Sequence, residues 1–196
     1  AGIFNLDGAP IRSQDLLKMT RTIRHRGPDD EGYLLINTSS KLIHHHFHDD
    51  SIPEIKSSAS VLPSQTNCNL VIGYRRLAII DLSANGHQPM ADPSKQIWLS
   101  FNGEIYNYIE IRIELLKLGH HFKSNSDSEV LIHAYLEWGE QCLQKFIGMF
   151  AFVIYDNRTS SLFIARDRMG IKPFNYFLDG NQFIYASEEK QIAAII

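Results

Sequence analysis

Cysteine is scarce. The 196 residues hold two, Cys68 and Cys142, far apart and with no Cys-x-x-Cys pair, which excludes a disulfide-dense secreted scaffold and favours a reducing compartment with two inert thiols. Basic tracts are missing too: 19 Lys and Arg stand against 22 Asp and Glu, for a net charge of -3, so nucleic acid is not an expected partner. No apolar run approaches the roughly 20 residues that cross a bilayer. The opening Ala1-Gly2-Ile3-Phe4-Asn5-Leu6-Asp7 lacks the basic start and long apolar stretch of a signal peptide. The expectation is a cytoplasmic protein with no membrane partner. The 12 Gly and 7 Pro are scattered and 11% of residues are aromatic, so low complexity and disorder are excluded as well.

What is present suits one folded domain over residues 1–196, since 44% of the residues are hydrophobic and 21% charged. Gly2 to Leu6 reads as a strand at the very start of the chain, an unusual place because termini tend to fray. Ser13 is placed to cap a helix with Leu16, Leu17, Thr20 and Ile23 at helical spacing, ending near Gly27-Pro28. Arg24 to Gly32 reads as an ordered loop, because Gly and Pro break regular structure there. Residues 37–67 read as a strand or hairpin followed by a surface excursion. In the run His44-His45-His46-Phe47-His48 only alternate histidines, His44, His46 and His48, could converge, and no Cys or carboxylate at motif spacing completes a metal site.

From Leu70 to Ile80 the chain is apolar enough for a buried strand but carries Arg75 and Arg76, and a buried arginine needs a partner. Ile97 to Phe101 predicts a strand running into a turn at Asn102-Gly103-Glu104. Asn107 with Glu110, and Ser126 with Glu129, look like capping boxes opening two helices. The first presents Tyr108, Ile111, Leu115 and Leu118 on one face and stops at Gly119. The second buries Val130, Leu131, Ala134, Tyr135 and Trp138, with Asp127 in its first turn. Met149 to Tyr155 and Leu162 to Ala165 predict one hairpin, Phe174 to Leu178 and Phe183 to Ala186 a second, and a short helix starts near Glu188. Strands at both ends and helices between indicate a sandwich of helices on sheets that are buried on both faces.

Several segments, in order, resemble the N-terminal glutaminase domain of asparagine synthetases, the class II glutamine amidotransferase type. They are Gly2-Ile3-Phe4, Arg24 to Gly32, Arg76 to Leu82, Gly86-His87-Gln88-Pro89, Asn102 to Asn107, Ser126-Asp127-Ser128-Glu129, Ala165 to Pro173 and Ala186-Ser187-Glu188. The resemblance implies an α+β fold, the four-layer αββα sandwich of the N-terminal nucleophile type. It implies that a cysteine at the chain start attacks the glutamine side-chain amide while the free α-amino group shuttles the proton. The oxyanion would be held by the Asn102 side chain and the Gly103 N–H. Arg76 would take the α-carboxylate of L-glutamine and Asp127 its α-ammonium group, two opposite charges that suit a free amino acid. Glu104 would add a polar contact, and Leu77, Ile79 and Ile80 a pocket wall. Arg166, Asp167, Arg168 and Lys172 read as structural or as facing a neighbouring domain.

Position 1 is alanine, which has no nucleophile. The expectation is a chain that does not hydrolyse glutamine but retains a glutamine pocket, since Cys68 and Cys142 cannot substitute. Either Ala1 stands where the parent protein has cysteine, or the protein is naturally cysteine-less there, a scaffold or interaction domain as in β-lactam synthetase relatives. The retained Arg76, Asn102, Gly103 and Asp127 favour the first. No Ser-Gly-Gly-x-Asp-Ser type loop is present, so no cofactor is expected in this domain. ATP and magnesium are expected only for a missing synthetase domain, the implied C-terminal partner. A homodimer is compatible with the resemblance.

Overall fold

The short apolar start does form a strand, β1 (Gly2–Asn5), and the computed structural model, which describes residues 1–196, places it inside a sheet and not at its edge. β5 (Leu70–Arg76) flanks it on one side and β11 (Gln182–Ala186) on the other, both antiparallel. Beyond β11 lies β10 (Asn175–Leu178), its hairpin partner across a turn where Gly180 takes a φ of 83°. Beyond β5 lie β2 (Asp30–Asn37), β3 (Leu42–Phe47) and, after the short helix α2 (Pro53–Ser58), the two-residue β4 (Ser60–Val61). The seven-stranded order is β10-β11-β1-β5-β2-β3-β4.

Alternation along these strands sorts the side chains. Ile3, Tyr33, Leu35, Val71 and Ile184 pack with Leu16 and Met19 of α1 (Ser13–Thr22) and Ile192 of α5 (Glu189–Ala193). At Gly73 a Cβ would come within 2.6 Å of Thr20 Cγ2, so glycine lets the helix lie close. Leu16 is fully buried in this layer, and its truncation to alanine would cost about 2–5 kcal/mol. Leu34, Ile36, Leu70 and Ile72, on the opposite face, are buried as well, in keeping with the unbroken apolar runs. These elements form one compact unit, Ala1–Ala78 with His87–Pro89 and Pro173–Ile196.

The second unit, Ile79–Gly86 with Met90–Lys172, holds an antiparallel sheet of order β6 (Met90–Ala91), β7 (Ile97–Ile105), β8 (Gly148–Asp156) and β9 (Ser161–Arg166). Leu99, Phe101, Phe152 and Ile154 from the sheet share an apolar core with Ile111 and Leu115 of α3 (Tyr108–Lys117) and Val130, Leu131 and Ala134 of α4 (Asp127–Trp138).

Local readings of the sequence need correction at five places. β2 begins at Asp30, inside the segment read as a loop, because the Asp30 and Glu31 carboxylates find hydrogen-bond partners that let them be buried. Residues 102–104 are the interior of β7 and not a turn. Ser13 is the first helical residue and makes no cap, and its buried hydroxyl has no partner. Asn107 does not close a capping box either, since its side chain bonds Ile147 N and Lys145 O. Ser126 does cap α4 by accepting from Ser128 N at 3.1 Å, but Glu129 reaches back only to Lys123 and Ser124.

Candidate active site

In the first unit, Ala1 extends β1. Its nitrogen donates to Gly73 O at 2.9 Å and its carbonyl accepts from Gly73 N at 2.8 Å, while its methyl packs against the cluster beneath α1. Burial pulls the Ala1 α-amino group down to about 5, so it is uncharged at neutral pH and able to accept a proton. Arg76 ends β5, three residues and roughly 10 Å beyond Gly73. Register places Arg76 on the face opposite α1, together with Gly2, Ile72 and Tyr74. Leu77 follows it, exposed, and Ala78 N donates to Asp29 Oδ2 at 2.8 Å.

The neighbouring arginine has a different employment. Arg75 is buried on the opposite side of β5 and donates to Glu31 Oε2 and Asp50 Oδ2, each at 2.8 Å, and through Nε to Gly27 O at 2.9 Å. Its role is structural. Asp30, the cross-strand partner of Arg76, holds Ile52 N at 3.0 Å and His87 Nδ1 at 2.6 Å, and His87 Nε2 lies 2.9 Å from His45 Nε2. The histidine run is thereby dispersed. His45 turns to His87, His46 meets Ser60 Oγ and Val61 O, and His48 approaches Glu31 and Asp49. No group of three His, Cys, Asp or Glu side chains is arranged to hold a metal.

The second unit holds Asn102, Gly103 and Glu104 on β7, and Ile79 and Ile80, the former largely exposed. Opposite Gly103 in β8, Phe150 commits its N–H to the Asp167 carboxylate and its C=O to Asp167 N, both on the β9 side. Gly103 must then direct its own N–H away from β8. On that edge β6 reaches only Leu99 and Trp98, so no strand takes this donor. A Cβ at Gly103 would lie 2.3 Å from Met149 O, and close approach explains glycine here. Asp127, 4% exposed, accepts from Ile105 N at 3.0 Å and has no cation against its carboxylate. Burial, with a further push from Glu104, raises its carboxyl above the ordinary range.

The sequence reading did not foresee the anchoring of Asp127 on Ile105, which has no motif because a backbone donor is invisible in sequence. Asp167 proves structural: it also accepts from Ile171 N and Lys172 N, and Arg166 donates to the Gly170 and Lys172 carbonyls, closing the loop between them. Cys68 and Cys142 are buried and free, and burial pushes the Cys142 thiol up to about 12. No helix is long and apolar enough to cross a membrane.

A family model described as glutamine amidotransferase domain matches residues 62–196. A putative glutamine-hydrolyzing asparagine synthetase of Methanocaldococcus jannaschii is 35% identical over 202 residues, covering 96% of this chain and 33% of its own. Two asparagine synthetases of Bacillus subtilis are 37% and 38% identical, covering 92% and 97% of this chain and 25% and 26% of their own. The chain thus spans between a quarter and a third of the length of these relatives. Among solved structures, glutamine phosphoribosylpyrophosphate amidotransferase from B. subtilis superposes with a TM-score of 0.79 at 21% identity, covering 99% of this chain and 42% of that one. An allosteric regulatory enzyme of purine biosynthesis gives 0.76 at 22%. This likeness shows the fold, α+β of the N-terminal nucleophile amidotransferase type.

Proposed function

The chain belongs to the glutamine amidotransferase domain family, and we propose that its 196 residues are one glutamine-binding domain of a longer, asparagine-synthetase-like enzyme. In that enzyme a domain of this kind releases ammonia from glutamine for transfer to an ATP-activated carboxylate such as that of aspartate. The observation that carries the reading is Asp127: a buried carboxylate, fixed by a backbone N–H and lacking a protein cation, is a receptor for an ammonium group. Arg76 supplies the complementary charge for an α-carboxylate. The Gly103 N–H left out of strand pairing, with the Asn102 amide, is the donor pair for the oxyanion. Glu104 belongs to the polar surroundings of the ammonium group, and Leu77, Ile79 and Ile80 to the apolar wall. We assign no cofactor to this domain, and ATP with magnesium to the rest of the longer enzyme.

Attack on the amide needs a thiolate at residue 1, with its proton passing to a free α-amino group that burial keeps uncharged. Alanine supplies none, so the chain as written binds glutamine without hydrolysing it. Ala1 itself favours a second reading, a naturally non-catalytic scaffold domain. One experiment separates them. An Ala1→Cys chain with a free α-amino group should release glutamate and ammonia from L-glutamine, whereas a folded variant with no release would discard the glutaminase reading.

A further inference from the structure

Helix α3 is apolar on two opposite sides. Ile111 and Leu115 face the core of the second unit, while Ile109, Ile113 and Leu116 lie on the far side, each about half exposed. The outward face of such a helix is ordinarily polar. With Tyr106 just before the helix, these three recur at alternating intervals of three and four residues, the spacing of a seam that packs on another helix. Tyr106 is 54% exposed, and Ile147, whose carbonyl accepts the Tyr106 N–H at 2.7 Å, is 64% exposed. Half-exposed side chains of this size present on the order of 100 Å² each, so the five offer roughly 500 Å², a patch large enough to be functional on a monomer. All five belong to the second unit.

The charges beside the seam decide what fits it. Glu114 is held by Lys145 at 2.7 Å, and Arg112 donates to Ser124 O at 2.7 Å with its guanidinium over the Phe122 ring. Glu110 and Lys117 are exposed and form no ion pair within the chain. They are seven residues apart, so they stand on the same flank of the seam, toward its two ends. A two-fold axis beside Ile113 that pairs α3 with an antiparallel copy of itself sets Glu110 against Lys117 of the second copy, and Lys117 against its Glu110. A parallel pairing would set Lys117 against Arg112 instead, two like charges. We propose that the outer face of α3 is a self-association surface, on which a second copy of this chain packs its own α3 antiparallel across a two-fold axis. The symmetric pair buries about 1,000 Å² in all, the lower limit for a specific interface, so the dimer is weak, with a dissociation constant on the order of 10 μM.

Sedimentation velocity on the chain from about 1 to 300 μM tests it, with thermal unfolding to confirm that each variant is folded. The unsubstituted chain should pass from monomer to dimer over that range. Ile113→Glu, which sets two carboxylates together at the axis, should stay monomeric throughout. Glu110→Lys should weaken the dimer roughly tenfold, and adding Lys117→Glu should restore it, because the exchanged charges again meet their opposites across the axis. A chain that stays monomeric at the highest concentration would overturn the proposal and leave the face to a different partner, such as the remainder of a longer enzyme. A dimer that persists in folded Ile113→Glu would overturn it by placing the interface elsewhere. A double variant as weak as Glu110→Lys alone would overturn the antiparallel pairing.

Discussion

The carboxylate of Asp127, at the start of α4, accepts the N–H of Ile105, at the end of β7, across 3.0 Å. That bond orients a charge that folding alone would avoid. Burial raises the Asp127 carboxyl above its ordinary value of 3.8, so above that pH the unfolded chain has released a proton that the native state still favours. Its contribution is fully present below pH 3.8 and is lost as pH rises through the raised native value. Asp127→Asn keeps an acceptor for Ile105 and removes the charge. It should stabilise the chain at pH 7, with the gain vanishing near pH 4 in urea titrations. Calorimetry should show glutamine bound at least tenfold more weakly, the loss of a charged hydrogen bond worth roughly 1.5–3 kcal/mol.

The adjacent arginines should separate in the same pair of measurements. Arg75→Met strands the buried Glu31 carboxylate and should destabilise by about 3–5 kcal/mol, with part of that recovered when Glu31→Gln is added. Arg76→Met should instead reduce glutamine affinity at least tenfold. Equal losses of stability in the two variants would remove the distinction between them.

That distinction marks the limit of what was legible in the sequence. The run at 149–155 and the first part of the run at 70–80, which ends as a strand at Arg76, read correctly because apolar strands need no distant information, and the hairpin around Gly180 because its turn chemistry is local. Asp30 and Glu31 looked like loop residues, because the groups that satisfy them include Ile52 N, His87 and Arg75, each 22 or more residues from the carboxylate it meets. Asn102-Gly103 looked like a turn for a related reason: the need for glycine comes from Met149 across the sheet and not from a bend. The candidate site was readable as residue types in family motifs. The carboxylate anchor at Ile105 depends on a backbone donor, which leaves no local pattern.

Acid should destabilise the second unit through His133. Burial first, and then His120 with its Nδ1 at 2.9 Å, lower His133 below its ordinary 6.5. The unfolded chain therefore takes up the proton first. The stability held by neutral His133 is complete above pH 6.5 and is lost as pH falls toward the lowered native value, by up to roughly 1.4 kcal/mol per pH unit. Urea unfolding at pH 7.5 and 5.5 should show this fall, and His133→Gln should make it shallower. An identical slope in the variant would assign the acid sensitivity to other groups.

The two proposed oxyanion donors should fail in different ways. Asn102 is half-buried in β7, so Asn102→Ala removes a side-chain donor without disturbing the ladder with β8. In an Ala1→Cys background it should lower the rate of ammonia release by about 10²–10³ while urea stability stays within roughly 1 kcal/mol. Gly103→Ala would bring a methyl to 2.3 Å from Met149 O and 2.7 Å from Phe150 Cα, both backbone atoms that cannot rotate aside. It should force β7 and β8 apart and lose stability and ammonia release together. Should Gly103→Ala fold as stably as its parent, the close approach of these strands would not be what requires glycine, and the N–H itself would be the reason to look for.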